Sequence, residues 1–376
     1  MKILKILGIG FLSLVIMIVI GTILVTNLLS AFGEAPNAEF QAGYQSSNNF
    51  TDEEFVNEIP TSMDMSVSAL KTVLWDYIVG IPDHEPAKLL KIQKPVVERV
   101  FEIPDTLTQL MWFGHSAFLL QTNGKTILLD PMLGTSPSPI PAFGSQRFTE
   151  GLPISLEDLP VIDVIVFSHD HYDHLDYPTL RELKDRVQHL VVPLGVESHL
   201  QSWGFREDQI TALDWWEDIT LDGITFTSTP ARHFSGRGLT DRNRTLWSSW
   251  VIKSPQANIY FSGDGGYGPH FKAIGERYGP FDFALMECGQ YDERWRQIHM
   301  MPEETVQASI DVKAKVFAPI HWGAFVLALH SWYDPVDRAV LEAQRLKISI
   351  AVPAIGELII VPISSDSNKS WWKAFK

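Results

Sequence analysis

Ten consecutive residues, Phe167–Asp176, read "FSHDHYDHLD" and hold three histidines and three aspartates. The pattern His169-x-His171-x-Asp173-His174 follows directly on the apolar run Val161–Phe167. A solvated loop has little use for three imidazoles, whereas neutral imidazoles and carboxylates together are metal ligands. A polar loop that caps the next helix would account for Asp173 or Asp176 but leaves the histidines unexplained. At the end of a strand, side chains alternate with period two, so His169 and His171 point the same way. Asp173 and His174 then face the site from the following turn. Two adjacent half-sites result, each short of ligands, so other strand ends must supply more.

Three do. "FTSTPARHFSGRG" presents His233, "KVFAPIHWGAF" presents His321, and "NIYFSGDGGYG" presents Asp264 between glycines that let the backbone turn tightly. The combined N and O donors suffice for two metal ions. His169, His171 and His233 would hold the first, Asp173, His174 and His321 the second, and Asp264 would bridge them.

These residues need rigid elements behind them. Short apolar runs with strand character cover Gln109–Gln121, Lys125–Leu129, Val161–Phe167, His189–Val192, Ile224–Ser228, Leu246–Ile252, Asn258–Phe261, Phe281–Met286, Lys315–Pro319 and Glu357–Val361. Helical spacing covers Tyr177–Asp185, Gly195–Trp203, Pro269–Tyr278, Pro302–Lys313 and Asp334–Leu346. Pro302-Glu303-Glu304 opens its helix with proline and carboxylates in the first turn. Mixed strands and helices over about 260 residues suit a layered sandwich in one domain. There is no internal repeat at a short period.

The chain has 376 residues, a net charge of −15 and no sizeable Lys/Arg cluster, which excludes nucleic acid as a partner. Its single cysteine, Cys288, excludes an intrachain disulfide framework and a cysteine-based zinc site, and reads as a buried structural thiol. From Ile6 to Phe32 the sequence carries no charge over 27 residues, more than the roughly 20 that cross a bilayer as a helix. A cleaved signal peptide competes with this reading, but its apolar region is shorter, and Ala31-Phe32-Gly33 fits the cleavage site poorly. An uncleaved anchor is expected. Lys2 and Lys5 precede the stretch and no Lys or Arg follows until Lys71, which places the bulk of the chain outside the cytoplasm. Polar, turn-rich sequence follows the anchor as a linker, and residues 61–94 show helical spacing of Met65, Leu70, Val73, Leu74 and Ile78.

The order of motifs resembles the metallo-β-lactamase superfamily, and within it the branch of N-acylphosphatidylethanolamine-hydrolysing phospholipases D. The resemblance is carried by "TQLMWFGHSAFLLQ", "LLDPMLG", "SHDHYDHLDYPTL", "VPLGV", "LDWWE", "TPARHF", "RTLWSSWVI", the "FSGDGGYG…QYDERW" block, "IHMMPEETVQA" and "IHWGAF", over about residues 105–330. One departure is Met300-Met301 before Pro302, where the branch would place an acidic residue. The resemblance implies an α+β fold, a four-layer αβ/βα sandwich with two zinc ions at one edge, here preceded by the transmembrane helix. The implied divisions are an anchor over 1–34, a linker and helical extension over 35–104, and a catalytic domain over 105–365.

Zinc suits the mixed imidazole and carboxylate set, and His171 stands where an iron-binding branch would carry glutamate. The implied chemistry is in-line hydrolysis of a phosphodiester, with Asp264 orienting the attacking hydroxide, Asp173 contributing beside it, and His299 contacting the phosphate or the leaving group. His299 equally fits a place beside a helix N-terminus. His115 and Asp130 would pair with ligands to fix their tautomers, although Asp130 also suits a turn before Pro131. Trp215-Trp216 and the terminal "SWWKAF" suit either packing or a membrane interface. The expected function is hydrolysis of N-acylphosphatidylethanolamine to N-acylethanolamine and phosphatidic acid, with membrane phospholipid as partner. The alternatives are a lactonase or sugar-phosphate hydrolase of the same superfamily, or a non-catalytic zinc-binding module.

Overall fold

The computed structural model describes residues 28–362 and 370–376, together with residues 11, 13–17, 20, 21, 25 and 26. Much of the stretch expected to span a membrane therefore lies outside the described residues. Among those described, no helix is long and apolar enough to cross one.

Two sheets form the body. The first orders its strands β15-β3-β4-β5-β6-β7-β8 and the second β14-β13-β12-β11-β10-β9. In the first, β3 (Thr108–Trp112), β4 (Phe118–Thr122), β5 (Lys125–Leu129) and β15 (Leu358–Val361) pair antiparallel. They are followed by parallel β6 (Ile162–Val166), β7 (Val187–Pro193) and β8 (Ile210–Leu213). The helices Tyr177–Leu183 and Val196–Ser202 make the crossovers that parallel pairing requires. In the second sheet β9 (Asp218–Leu221), β10 (Ile224–Thr229), β11 (Ser249–Lys253) and β12 (Asn258–Phe261) are antiparallel. Parallel β13 (Phe283–Glu287) and β14 (Phe317–Ile320) complete it through the helices His270–Arg277 and Pro302–Asp311.

Strand alternation builds the layers. In β3, Leu110 and Trp112 enter the core shared with Phe226, Trp250 and Tyr260 of the second sheet. Met111 and the adjoining Phe113 turn the other way, onto Leu180, Leu183, Val196 and Leu200 of the helices. On the second sheet, Val306, Ala308, Val336 and Ala339 from the helices Pro302–Asp311 and Asp334–Leu346 join the core. This is the layered α+β sandwich expected.

Two local expectations differ from the structure, and one open alternative is decided. Gln109–Gln121 is not one strand but the hairpin β3–β4, because Gly114 (φ 92°) and His115 (φ 55°) both adopt left-handed backbone and reverse the chain. The polar stretch expected as a linker forms the helix Ala38–Tyr44, capped by Asn37, and the short hairpin β1 (Phe50–Thr51) to β2 (Glu54–Phe55). Tyr44, Phe50 and Phe55 pack there against Trp215, Leu246 and Trp247. The terminal "SWWKAF" lies on the domain: Trp372 is fully buried, its Nε1 donates to Asp337 Oδ1 at 2.8 Å, and Trp371 stacks on Trp322.

Candidate metal centre

The strands β5, β6, β10, β12, β13 and β14 all end at one edge of the sandwich, and the chemistry-bearing residues lie at or just past their last positions. The β3–β4 turn joins them through paired backbone bonds, His115 N to Trp322 O at 3.0 Å and His321 N to His115 O at 3.1 Å. Glycine is required beside Asp264: Gly263 has φ 57°, and a Cβ there would stand 2.6 Å from that of Ser168. His115, Asp130 (φ 37°) and His321 (φ 68°) adopt the same left-handed region without being glycine. Such strain costs about 1–3 kcal/mol per residue and gathers at functional sites.

Two groups of donors assemble there. In the first, Nδ1 of His171 lies 2.8 Å from His169 Nε2 and 3.3 Å from His233 Nε2. His233 donates Nδ1–H to the carbonyl of Ile298 at 2.9 Å, which leaves Nε2 as a bare acceptor. In the second, His174 Nε2 lies 3.4 Å from Asp173 Oδ2, and His321 Nε2 lies 3.9 Å from the same oxygen. Oδ2 of Asp264 stands between the groups, 3.1 Å from His174 Nε2, 3.2 Å from His321 Nε2 and 4.0 Å from His169 Nε2. Its other oxygen, Oδ1, is buried without a hydrogen-bond partner. All seven residues singled out as ligands from strand ends thus meet at one place. Asp176, the bland alternative for this loop, is the N-cap of the helix Tyr177–Leu183 and accepts from Thr179 N.

The residues fit bound cations. Burial holds His169, His233 and His321 well below the usual imidazole pKa, so they are neutral, the form that coordinates. Burial also opposes the charge on His174, but Asp264, Asp173 and Asp130 outweigh it and raise that pKa. Neutral imidazoles at His169, His233 and His321, a His174 whose proton a dication beside the same carboxylates would displace, and an orphaned Asp264 Oδ1 make a donor set a dication would satisfy.

Surrounding groups fix these orientations. Asp130 Oδ2 accepts from His174 Nδ1 at 2.6 Å and Oδ1 from Ser168 N at 2.7 Å, so Asp130 holds a ligand's tautomer rather than merely capping a turn. His115 lies closer in than expected. Its Nε2 is 2.8 Å from Asp173 Oδ2, and it belongs with Asp173, His174 and His321 among the residues able to hold an ion. His299 lines the cleft over the site, stacked on His321 at 5.3 Å.

One residue escaped the sequence reading. Glu287, the fully buried last residue of β13, lies 3.1 Å from His299 Nδ1 through Oε1 and accepts from Met300 N through Oε2. Burial pushes its pKa up to about 7. The rule that found Asp264 and His321, a donor at a strand's end, applies to it equally. Where an acidic residue was expected before Pro302, Met301 stands instead, and its N donates to Glu304 at 3.0 Å, closing the first turn of the helix Pro302–Asp311. Cys288 is buried with its thiol pKa pushed up by desolvation, as a structural thiol should be.

Residues 125–322 match the Beta-lactamase superfamily domain. An uncharacterized protein of Mycobacterium tuberculosis is 38% identical over 344 residues, covering 90% of this chain and 91% of its own length. An N-acyl-phosphatidylethanolamine-hydrolyzing phospholipase D of Caenorhabditis elegans is 35% identical over 240 residues, covering 60% of this chain and 67% of that protein. Among solved structures, the metallo hydrolase Igni18 of Ignicoccus hospitalis superposes with a TM-score of 0.53 at 23% identity, over 68% of this chain and 98% of its own, and so shares the fold. The chain belongs to the metallo-β-lactamase superfamily of metal-dependent hydrolases, in the branch that resembles N-acylphosphatidylethanolamine-hydrolysing phospholipase D.

Proposed function

We propose that this protein is a dinuclear zinc phosphodiesterase of phospholipase D type, acting on N-acylphosphatidylethanolamine at a membrane. The observation that carries the reading is Asp264 Oδ2, set between a three-histidine group and an Asp173–His174–His321 group. The branch relatives supply the choice of substrate.

Two zinc ions, when bound by those groups, would supply an acidified water and a charge clamp on the attacking and leaving oxygens. The chain's own residues do the rest. Asp264 offers Oδ2 to both groups, and its carboxylate orients the attacking water between them. Asp173 is held in place by His115. Glu287 orients His299, whose ring faces the cleft where the leaving oxygen of the diester departs.

A phospholipid partner is supported beside the cleft. Met63 and Trp295 line a cleft of about 220 Å3 over the site. The helix Val67–Val79, which follows Met63, exposes Val67, Leu70, Leu74, Trp75, Tyr77 and Ile78 while Ala69 is buried. Arg294 fastens its inner side through Asp76 at 3.1 Å and Thr72 at 3.2 Å. The uncharged stretch Ile6–Phe32 supports membrane anchoring, with the catalytic domain outside the cytoplasm. A reporter active only outside the cytoplasm, fused after Lys376, tests that orientation.

The deciding experiment incubates the zinc-loaded protein with N-acylphosphatidylethanolamine vesicles and identifies products by mass spectrometry. N-acylethanolamine and phosphatidic acid should appear together. Release of fatty acid alone would make the protein an acyl hydrolase and end the phosphodiesterase reading.

A further inference from the structure

The segment Ser30–Glu34, which ends the uncharged stretch, is fastened to the back of the His169–Leu175 loop. Ser30 O accepts from Trp203 Nε1 at 2.7 Å and Glu34 O from Ser198 Oγ at 2.7 Å. Ala31 O accepts twice from Arg237, from Nη2 at 2.6 Å and from Nε at 3.1 Å. The same guanidinium turns Nη1 to the loop, where it donates to Leu175 O at 2.9 Å and also to the carbonyl of Asp170. Asp170 separates His169 from His171, and Leu175 follows His174. One nitrogen therefore closes both ends of the loop that carries four of the donors, while the other edge of the fork grips the segment.

Two further contacts couple the same pair. The ring of Tyr172, in the middle of the loop, lies 4.1 Å from the Arg237 guanidinium and is met edge-on by Phe32 with centroids 6.0 Å apart. Gly33 has φ +68°, and a Cβ there would stand 2.4 Å from Nδ1 of His199. Nε2 of that histidine lies 3.3 Å from Asp170 Oδ2, and Asp170 Oδ1 accepts from Gly236 N at 2.8 Å. Arg237 is 3% exposed, so its fork is held by these partners and has no freedom to exchange them for water.

We propose that Ser30–Glu34 is the outer wall of the metal loop and that Arg237 is the positioning residue that couples the two, so that the loop holds ligand geometry only with the segment docked. The inference rests on the reading of His169, His171, Asp173 and His174 as metal ligands. It makes the chain that emerges from the apolar stretch part of the site's support rather than a tether. Displacing the segment strands the Ala31 carbonyl and frees Arg237 to leave the Asp170 and Leu175 carbonyls, so loop order and segment docking are lost together.

The test measures zinc affinity of the full chain by competition with a fluorescent chelator, and records the visible spectrum of the cobalt(II)-loaded protein. It compares the wild type with Phe32→Ala, Gly33→Ala and Arg237→Lys, the last keeping the charge but losing the fork. Zinc Kd should rise at least about tenfold in Arg237→Lys and severalfold in the two segment variants, in the range seen when a ligand's supporting contacts are removed. The cobalt bands should shift in position or intensity in all three, while the metal-free Phe32→Ala and Gly33→Ala proteins keep cooperative thermal unfolding; Arg237→Lys, which loses buried hydrogen bonds, should also melt lower. Unchanged zinc affinity with superimposable cobalt spectra in Phe32→Ala and Gly33→Ala would overturn the proposal, whether or not Arg237→Lys folds. A wild-type chain that binds no zinc would instead bring down the metal-centre reading, and this inference with it.

Discussion

Asp264→Asn keeps the shape of the side chain and removes one negative charge from the centre of the site. Oδ2 stands 3.1 Å from His174 Nε2, 3.2 Å from His321 Nε2 and 4.0 Å from His169 Nε2, so a cation in either group would sit against it. Opposite unit charges ~4 Å apart at an effective dielectric of ~20 attract by about 4 kcal/mol. A dication in direct contact is held more strongly than this, so losing the carboxylate's charge should weaken binding of one cation by at least roughly a thousandfold. Turnover should fall by at least a few kcal/mol in barrier, on the order of a hundredfold or more. The fold should survive, because the turn is set by Gly263 at φ +57° and not by the carboxylate. The assay pairs zinc by elemental analysis with diester hydrolysis and a thermal melt. If Asp264 were only a turn residue, the variant would lose modest stability and keep its metal. Two zincs per chain with near-normal turnover in the Asn variant would refute the reasoning.

Three other outcomes follow from the same geometry. Asp130→Asn removes the acceptor that holds His174 Nδ1 at 2.6 Å, so zinc affinity should fall about 10–100-fold by chelator competition, although Asp130 touches no substrate. Glu287 is buried with its pKa raised to about 7, so between an unfolded value near 4.5 and that value the folded state binds the extra proton. Stability of the metal-free protein should therefore fall as pH rises through this window, by up to about 1.4 kcal/mol per pH unit, and Glu287→Gln should flatten that slope in denaturant titrations. Leu74→Glu combined with Ile78→Glu charges the exposed side of the helix Val67–Val79; hydrolysis of vesicle substrate should drop severalfold while zinc content and melting temperature hold.

The donors were legible because their signal is local: a ligand-type residue just past a strand is visible without knowing what the strand packs on. His169, His171, His233, Asp264 and His321 all follow that rule, and Glu287 obeys it too, but a lone glutamate ending an apolar run looks ordinary until His299 is seen against it. What failed depended on distant partners or on backbone sign. Phe113–Ala117 reads "FGHSA", a single glycine with two polar residues between apolar flanks, so Gln109–Gln121 reads as one strand, and the positive φ of Gly114 and His115 breaks it. The edge strands β8 and β9 are only four residues each and half-exposed, too short for their pattern to stand out from the surrounding loops. Tyr44, Phe50 and Phe55 sit in polar sequence, and their burial is decided by Trp215 and Trp247 about 160 to 200 residues away. Trp215 proved to be core, with Nε1 donating to Trp247 O at 2.7 Å, whereas Trp216 is half-buried against Tyr278 and Arg277.

Anomalous scattering at the zinc edge, from crystals of the zinc-loaded full chain, tests the dinuclear centre most directly. Two peaks about 3.5–4 Å apart are expected, one bounded by His169, His171 and His233 and the other by Asp173, His174 and His321, with Asp264 touching both. A single peak, or zinc bound away from these residues, would contradict the account.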